Sequence, residues 1–257
     1  AEEKTFRAAV KNIILDRHGV LHDEPIRLFL DDMRESVQAF SILSVVGTGS
    51  NRLSEIAGRL NKPATQLSRP IDLLIQLGYL KREIPFGESE KSSKKGIYRI
   101  SDPFMNYYFT FLSPNLSRLE LGLTDQVYHD FESRLSSYVS SEWENLCRRS
   151  IPMKPVHGIS FGMGYRWWGT NLKNEIMELD VVAESTDKKY LLIGECKWSI
   201  ISDPESLIWK LEDKTKVFPL AKDKKVIPVL FLKGISNAGM QSNVFLPPDV
   251  LDRLKQT

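Results

Sequence analysis

Three charged residues interrupt two apolar stretches of this sequence. Asp180 lies within Glu178–Ala183, and Glu195 and Lys197 lie within Leu191–Trp198. The polar segment between the two stretches predicts a β-hairpin, and the alternation along a strand places Glu195 and Lys197 on the same face. Charged side chains in a buried strand are costly unless they are paired or bound to something. The pattern therefore indicates a functional site and not ordinary core.

The chemistry that suits these residues is metal-assisted hydrolysis of a phosphodiester. Two carboxylates that repel each other are stabilised by a cation between them, and oxygen ligands favour Mg²⁺ or Mn²⁺. The cation would polarise a phosphate oxygen and acidify a water, while Lys197 would orient that water or offset the developing charge. The alternative is an exposed edge strand that carries solvated charges.

Asp, followed by Glu-x-Lys on the next strand, resembles the signature of the PD-(D/E)XK superfamily, the restriction-endonuclease-like nucleases. The resemblance implies that Asp180 and Glu195 are metal ligands. It also implies that Cys196 offers its main-chain carbonyl to the metal and that Lys197 serves the water.

Nucleases of this superfamily begin with a helix whose Glu reaches the metal site. Apolar residues spaced three or four apart predict one long helix over residues 127–149. Glu142 lies on its apolar stripe, whereas the pair Trp143-Glu144 matches an aromatic-Glu pattern of the superfamily. We predict Glu144 as the assisting catalytic residue; Glu142, or an exposed carboxylate without a role, is the alternative.

Composition limits the class of protein. The 257 residues suffice for two modest domains, and 42% hydrophobic with 26% charged residues excludes a disordered or fibrous chain. The net charge of +2 gives no global basic field, so nucleic-acid binding requires local patches. Cys147 and Cys196 form neither a disulfide framework nor a zinc spacing, which predicts a reducing, cytoplasmic location.

Targeting and nucleotide-binding signals are missing from the sequence. No apolar run reaches the length of a membrane span, and no secretory signal opens the chain, so we expect no membrane association. No Gly-Lys-Ser/Thr loop follows a predicted strand, so the phosphate cradle of nucleotide hydrolases is absent. The start at Ala1, without an initiator Met, is what a fragment would show.

The first half of the chain resembles a winged helix-turn-helix. Three helices are predicted between Val37 and Gly78, followed by strands over 79–84 and 97–100. The segment 87–96 would form the wing tip. A winged helix that binds protein needs the same core, and acidic residues near the wing keep this alternative open.

If this half reads DNA, the third helix, 64–77, enters the major groove with its first residues at base edges. Lysines and arginines of the first strand and the wing would then contact phosphates, as would three basic residues of the second half. The predicted DNA-binding residues are Thr65, Gln66, Ser68, Arg69, Lys81, Arg82, Lys91, Lys94, Lys95, Arg166, Lys210 and Lys214.

The predicted fold class is α+β or α/β. A winged helix-turn-helix over 36–112 is followed, over 113–257, by a restriction-endonuclease-like mixed β-sheet flanked by helices. The order of a helix, three strands, a helix and a strand in the second half is the basis for this sheet.

Taken together, several sequence strings resemble the C-terminal region of an archaeal-type AAA-family ATPase, which joins a winged helix to a restriction-endonuclease-like region. This resemblance implies that residues 1–35 are the helical tail of an ATPase part and that this chain itself hydrolyses no ATP. The strings are Leu53–Ala57, Lys95–Phe104, Arg166–Trp168, Glu178–Asp180 and Gly194–Trp198.

Two functions are therefore expected from the sequence. The first is a DNA-binding, Mg²⁺- or Mn²⁺-dependent deoxyribonuclease that uses Asp180, Glu195 and Lys197, assisted by Glu144. The second is a non-catalytic DNA-docking or regulatory module of an AAA-family ATPase. The expected partners are DNA and a missing or separate ATPase domain, and self-association is a further option.

Overall fold

The computed structural model describes residues 5–19, 22, 24, 25, 27, 36–236 and 242–255. Residues 1–4, 20, 21, 23, 26 and 28–35 of the predicted helical tail lie outside the described residues. The chain divides into two compact units. The first unit comprises Ala1–Glu83 with Lys94–Arg134, and the second comprises Ile84–Ser93 with Leu135–Thr257.

The α-helices are α1 (Phe6–Ala9), α2 (Ser36–Gly47), α3 (Leu53–Leu60), α4 (Ala64–Gln76), α5 (Pro103–Tyr107), α6 (Leu116–Glu120), α7 (Thr124–Ser150), α8 (Pro204–Lys216) and α9 (Pro247–Leu254). The strands are β1 (Leu80–Glu83), β2 (Ile97–Ile100), β3 (Tyr165–Thr170), β4 (Ile176–Glu184), β5 (Tyr190–Ile201), β6 (Lys225–Ile235) and β7 (Val244–Phe245). Short π-helical segments span Val10–Ile14 and Tyr108–Leu112, and 3-10 turns span Ser113–Asn115, Ile151–Met153 and Pro219–Ala221.

In the first unit, α2, α3 and α4 precede the antiparallel hairpin β1–β2. The Glu55 carboxylate accepts hydrogen bonds from the main-chain N–H groups of Asn51 and Arg52, both at 3.0 Å, which fixes the start of α3. Gly78 follows α4 with φ +80°, a conformation in which glycine is favoured. Three helices and a hairpin were predicted here, and the structure has them.

In the second unit, five strands form one mixed sheet in the order β3-β4-β5-β6-β7. The pairs β3–β4 and β4–β5 are antiparallel, whereas β5–β6 and β6–β7 are parallel. The predicted mixed sheet flanked by helices is therefore confirmed, including the hairpin of β4 and β5. Strand β7 was not predicted, because two residues are too few to show a period.

Helices cover both faces of this sheet and bury an apolar layer on each. On one face, α7 contributes Trp143 and Cys147 to a core with Val181 and Phe231. On the other face, Leu211 of α8 packs in a second core with strand residues such as Leu191 and Ile193. Burial of each such aliphatic or aromatic side chain stabilises the fold by about 1.5–3 kcal/mol, so both helices are firmly held on the strands.

Two of the strands carry an irregularity beside the predicted site residues. The register of β3 and β4 shifts so that β4 has one extra residue between Leu179 and Val182, where Asp180 lies. The register of β5 and β6 shifts in the same way between Lys197 and Ile200. A β-bulge rotates the neighbouring side chains and increases the local twist, so both bulges change the direction of side chains at this end of the strands.

None of the helices in the described ranges combines the length and the apolarity needed to cross a bilayer.

Candidate functional site

Glu195 on β5 is held by two lysine side chains, one at each carboxylate oxygen. The Lys197 Nζ lies 2.7 Å from Oε1, and the Lys214 Nζ lies 2.8 Å from Oε2. The prediction that Glu195 and Lys197 share one face of the strand is confirmed by the first distance. Gly194 precedes them, and a Cβ at this position would lie 2.9 Å from the Phe231 ring. Glycine thus lets the strands approach closely beside the carboxylate.

The two lysines decide the ionisation of Glu195. Burial would raise the pKa of the Glu195 carboxyl, but the hydrogen bonds and charges of Lys197 and Lys214 hold this pKa below its usual value. Burial would lower the pKa of Lys197, but Glu195 and Asp180 raise it above its usual value. Lys197 therefore stays protonated at neutral pH, so it can offset negative charge but cannot accept a proton.

The pKa of Asp180 on β4 is shifted in the opposite direction to that of Glu195. Val181 pairs with Gly194, so the next position outward places Asp180 beside Glu195. Burial, followed by the charges of Glu195 and Glu144, raises the pKa of Asp180 to about 6. The main-chain N–H of Cys196 donates to Asp180 Oδ2 at 2.9 Å, which opposes the rise without cancelling it.

Glu144 reaches this site from α7 together with Arg148, one turn later on the same helix. The Arg148 guanidinium donates to the main-chain oxygen of Asp180 at 2.9 Å and to Glu144 Oε2 at 3.4 Å. The charge of Glu144 acts on Asp180 and on Arg166. Of the two predicted alternatives, the structure brings Glu144 into the electrostatic environment of Asp180.

Arg166 on β3 borders the same acidic group. Its guanidinium donates to Glu178 Oε2 at 2.5 Å and lies 5.8 Å from the centre of the Trp168 ring. Burial alone would lower the pKa of Arg166, but Glu178, Glu144 and Asp180 raise it above its usual value. Arg166 Nε and Trp168 Nε1 are buried and meet no acceptor within the described part of the chain.

Cys196 lies between Glu195 and Lys197 but faces the opposite core. Its thiol contacts that of Cys147, and burial followed by this contact raises the pKa of the Cys196 thiol well above its usual range. Both cysteines are free and buried. The thiol is thus a neutral core group, and only the main chain of Cys196 faces the site, through its N–H to Asp180.

The donor chemistry of the site fits a hard divalent cation. Asp180 and Glu195 supply carboxylate oxygens, the ligand type that Mg²⁺ and Mn²⁺ prefer. The raised pKa of Asp180 reflects burial first and then the negative charges of Glu195 and Glu144. No three His, Cys, Asp or Glu side chains of the described ranges are grouped closely enough to hold a metal ion. Both carboxylate oxygens of Glu195 contact lysine ammonium groups in this arrangement.

The predicted DNA-binding residues differ in their exposure to solvent, and several of them form ion pairs. In the first unit, Lys81 Nζ lies 3.0 Å from Glu83 Oε1. In the second unit, Arg166 pairs with Glu178 and Lys214 pairs with Glu195. The side chains that are exposed to solvent are Thr65, Gln66, Ser68, Arg69, Arg82, Lys91, Lys94, Lys95 and Lys210.

Two features of the site were not predicted from the sequence. Arg148 supports the main chain of Asp180, and Lys214 contacts a carboxylate instead of standing free for phosphate. A weak signal for Arg148 existed, because it follows Glu144 by four residues and such pairs meet on a helix. No sequence signal links Lys214 to Glu195, since this contact depends on how α8 packs on the sheet.

Comparison with known proteins adds a family match and one relative. Residues 108–207 match a family model described as "Archaea bacterial proteins of unknown function". The chain is also similar to an uncharacterized protein of Methanocaldococcus jannaschii, at 30% identity over 166 residues. That similarity covers 63% of this chain and 36% of the relative, so the chain spans little more than a third of that protein's length. No solved structure matches the chain significantly.

The matched range contains most of the site. Glu144, Asp180, Glu195 and Lys197 all fall within residues 108–207, whereas Lys214 lies beyond it.

Proposed function

We propose that this protein binds DNA and hydrolyses its phosphodiester bonds with the help of a divalent cation, at the site formed by Asp180, Glu195 and Lys197. The observation that carries the proposal is the convergence of these groups at one end of β4 and β5. A protonated lysine lies 2.7 Å from one carboxylate, and a second carboxylate beside it has its pKa raised to about 6. Carboxylates whose pKa is raised by both burial and a specific charged neighbour cluster at functional sites.

Each residue has a defined part in the proposed reaction. Asp180 and Glu195 would hold the cation, which supplies polarisation of a phosphate oxygen and a more acidic water. Lys197, whose pKa is raised by Glu195 and Asp180 against the effect of burial, keeps its charge and stabilises the extra negative charge of the transition state. Arg148 fixes the main chain of Asp180, and Glu144 adds negative charge to the cation site.

Substrate binding is proposed to use the first unit. Four residues of α4, namely Thr65, Gln66, Ser68 and Arg69, are exposed on one helix whose inner face is buried. Side chains at the start of such a helix reach base edges in the major groove, and nearby basic residues contact phosphates.

The test of the proposal is cleavage of supercoiled plasmid by the full chain with Mg²⁺ or Mn²⁺, compared with EDTA. The Glu195→Gln and Lys197→Met variants are each expected to lose at least 100-fold in rate, because one removes a ligand charge and the other a stabilising cation. Lys216→Met is the matched control, since Lys216 is an exposed lysine paired with Asp213. Equal rates in all four proteins would identify a contaminating nuclease and contradict the proposal.

A second candidate is a non-catalytic DNA-docking or regulatory module of an ATPase. The observation that favours it is the pairing of both Glu195 oxygens with lysines, which leaves no ligand position open without movement. It predicts no cleavage, together with a salt-sensitive DNA mobility shift that survives Glu195→Gln and weakens on Arg69→Ala.

A further inference from the structure

Lys214 on α8 is the second lysine that contacts the carboxylate of Glu195. Its Nζ lies 2.8 Å from Glu195 Oε2, and Glu195 is 14% exposed, while the side chains of Lys214 and Lys197 are 39% and 43% exposed. Because Lys197 already contacts the other oxygen, one lysine would suffice to neutralise the carboxylate. The second lysine therefore adds a positive charge at the position where a cation ligand is needed.

The helix that carries Lys214 is fixed in place, although the side chain itself is long and partly exposed. Asp203 caps α8 by accepting from the Ser206 N–H at 3.0 Å, and Leu211 is buried against the sheet. Lys214 follows Leu211 by one turn, so its Cα is held over the strands. Its four-carbon side chain can nevertheless move its ammonium away from Glu195 without movement of the backbone.

An ammonium group and a divalent cation cannot share one carboxylate oxygen at close range. Mg²⁺ binds oxygen at about 2.0–2.1 Å, and an ammonium within hydrogen-bonding distance of the same oxygen would repel the ion strongly. Cation binding at Glu195 Oε2 thus requires the Lys214 ammonium to leave. Lys197, at the other oxygen, need not move.

We propose that Lys214 is a resident counter-ion of Glu195 that competes with the divalent cation and so sets the cation affinity of the site. This inference rests on the proposed function, because it assumes that Glu195 is a cation ligand. Lys214 is a positioning residue in this scheme: it holds Glu195 ionised and oriented while no cation is bound, and it is displaced when one binds.

The test is isothermal titration of the full chain with Mn²⁺ alone and with Mg²⁺ alone. The proteins compared are the wild type, Lys214→Met, Lys214→Arg and the control Lys216→Met. The two Met variants each remove one positive charge from the net +2, so non-specific charge effects are matched. Lys214→Met is expected to bind the cation roughly tenfold more tightly or better. Lys214→Arg and Lys216→Met are expected to stay within about twofold of the wild type.

Each outcome decides between the inference and the function beneath it. Equal affinity in the wild type and Lys214→Met, with cation binding present in both, overturns the competition by Lys214 and leaves the proposed nuclease intact. Absence of binding in both proteins overturns the inference and also removes the cation from the proposed function. If Lys214→Met does not fold by circular dichroism, Lys214→Gln, which keeps a polar group beside Glu195, takes its place in the same titration.

Discussion

Asp180 and Glu195 are neighbouring carboxylates on paired strands, yet the pKa of one is raised and the pKa of the other is lowered. On the side of β5 and α8, Lys197 and Lys214 lower the pKa of Glu195 against the effect of burial. On the side of β4 and α7, burial and the charges of Glu195 and Glu144 raise the pKa of Asp180 to about 6. Neighbouring positions in one sheet thus hold one well-compensated and one poorly compensated carboxylate.

The difference arises because the two flanking helices place side chains of opposite charge beside the two carboxylates. Helix α8 places the ammonium group of Lys214 beside Glu195, whereas α7 places the carboxylate of Glu144 near Asp180, where it adds negative charge. The Arg148 side chain, also from α7, donates to the main-chain oxygen of Asp180 and not to its carboxylate. A divalent cation would therefore gain most at Asp180 and would have to displace a lysine at Glu195.

The largest expected effect concerns the support that α7 gives to β4. Arg148→Met should lower the free energy of unfolding by about 2 kcal/mol or more, because it leaves the partly buried main-chain oxygen of Asp180 without its charged donor. Urea unfolding followed by tryptophan fluorescence measures the loss. Arg149→Met, an exposed arginine at the next position, is the control and should change stability by less than about 0.5 kcal/mol. Equal losses would show that Arg148 has no special supporting role.

Asp180→Asn should stabilise the protein in EDTA at pH 8. The folded pKa of Asp180, about 6, lies above the ordinary value of 3.8, so its ionised form costs stability above pH 6 and costs nothing below pH 3.8. The amide keeps the acceptor for the Cys196 N–H and should raise the free energy of unfolding by about 2–3 kcal/mol at pH 8. This gain should vanish as the pH falls from 6 to 4.

The control for this variant is Asp213→Asn, at an exposed carboxyl whose pKa is lowered by its hydrogen bond with Lys216. It should not stabilise the protein at either pH. A gain that is the same for both variants, or that persists at pH 4, would contradict the uncompensated charge at Asp180.

Glu195→Gln should lower the free energy of unfolding, in contrast to Asp180→Asn, and by a smaller amount. The lowered pKa of Glu195 means that its ionised form contributes stability above pH 4.5, which is lost as the pH falls through the folded pKa. Removing the charge leaves Lys197 and Lys214 facing each other, at a cost of about 1–2 kcal/mol at pH 7, reduced because both lysines are partly exposed. Salt should diminish the cost, and urea unfolding at two ionic strengths measures it. If Glu195→Gln stabilised the protein, the lysines would not compensate the charge of Glu195, and the contrast with Asp180 would be wrong.

The smallest effect distinguishes Glu144 from Glu142. Glu144→Gln should lower the pKa of Asp180, because Glu144 contributes to raising it. Glu142→Gln, two positions earlier on the same helix, should leave that pKa unchanged. Titration of the Asp180 side-chain carbon by NMR reports both, and an equal shift in the two variants would mean that neither helix residue is specifically placed beside Asp180.

Much of this site could be predicted from the sequence because it depends on local geometry. The period of a strand places Glu195 and Lys197 on one face, and the hairpin brings Asp180 beside them. The helix α7 was also predictable from its apolar spacing, which left the choice between Glu142 and Glu144 to the structure.

The remainder depends on contacts between elements that are distant in sequence. The pairing of Lys214 with Glu195 follows from the packing of Leu211 on the sheet, and the sequence near Lys214 contains no sign of it. The bulges beside Asp180 and Lys197 depend on how β3 pairs with β4 and how β5 pairs with β6, which the sequence of a single strand does not show. The predicted wing tip, 87–96, is a similar case, because residues 87–93 belong to the second compact unit and 94–96 belong to the first.

The most direct measurement is the NMR titration of the Asp180 and Glu195 carboxyl groups in the wild-type protein in EDTA. The contrast between the two sides of the sheet predicts a pKa of about 6 for Asp180 and a pKa below the ordinary 4.5 for Glu195. A pKa of Asp180 at or below its ordinary 3.8, or the reverse order of the two groups, would contradict the uncompensated charge and would remove the physical basis for a cation at this site.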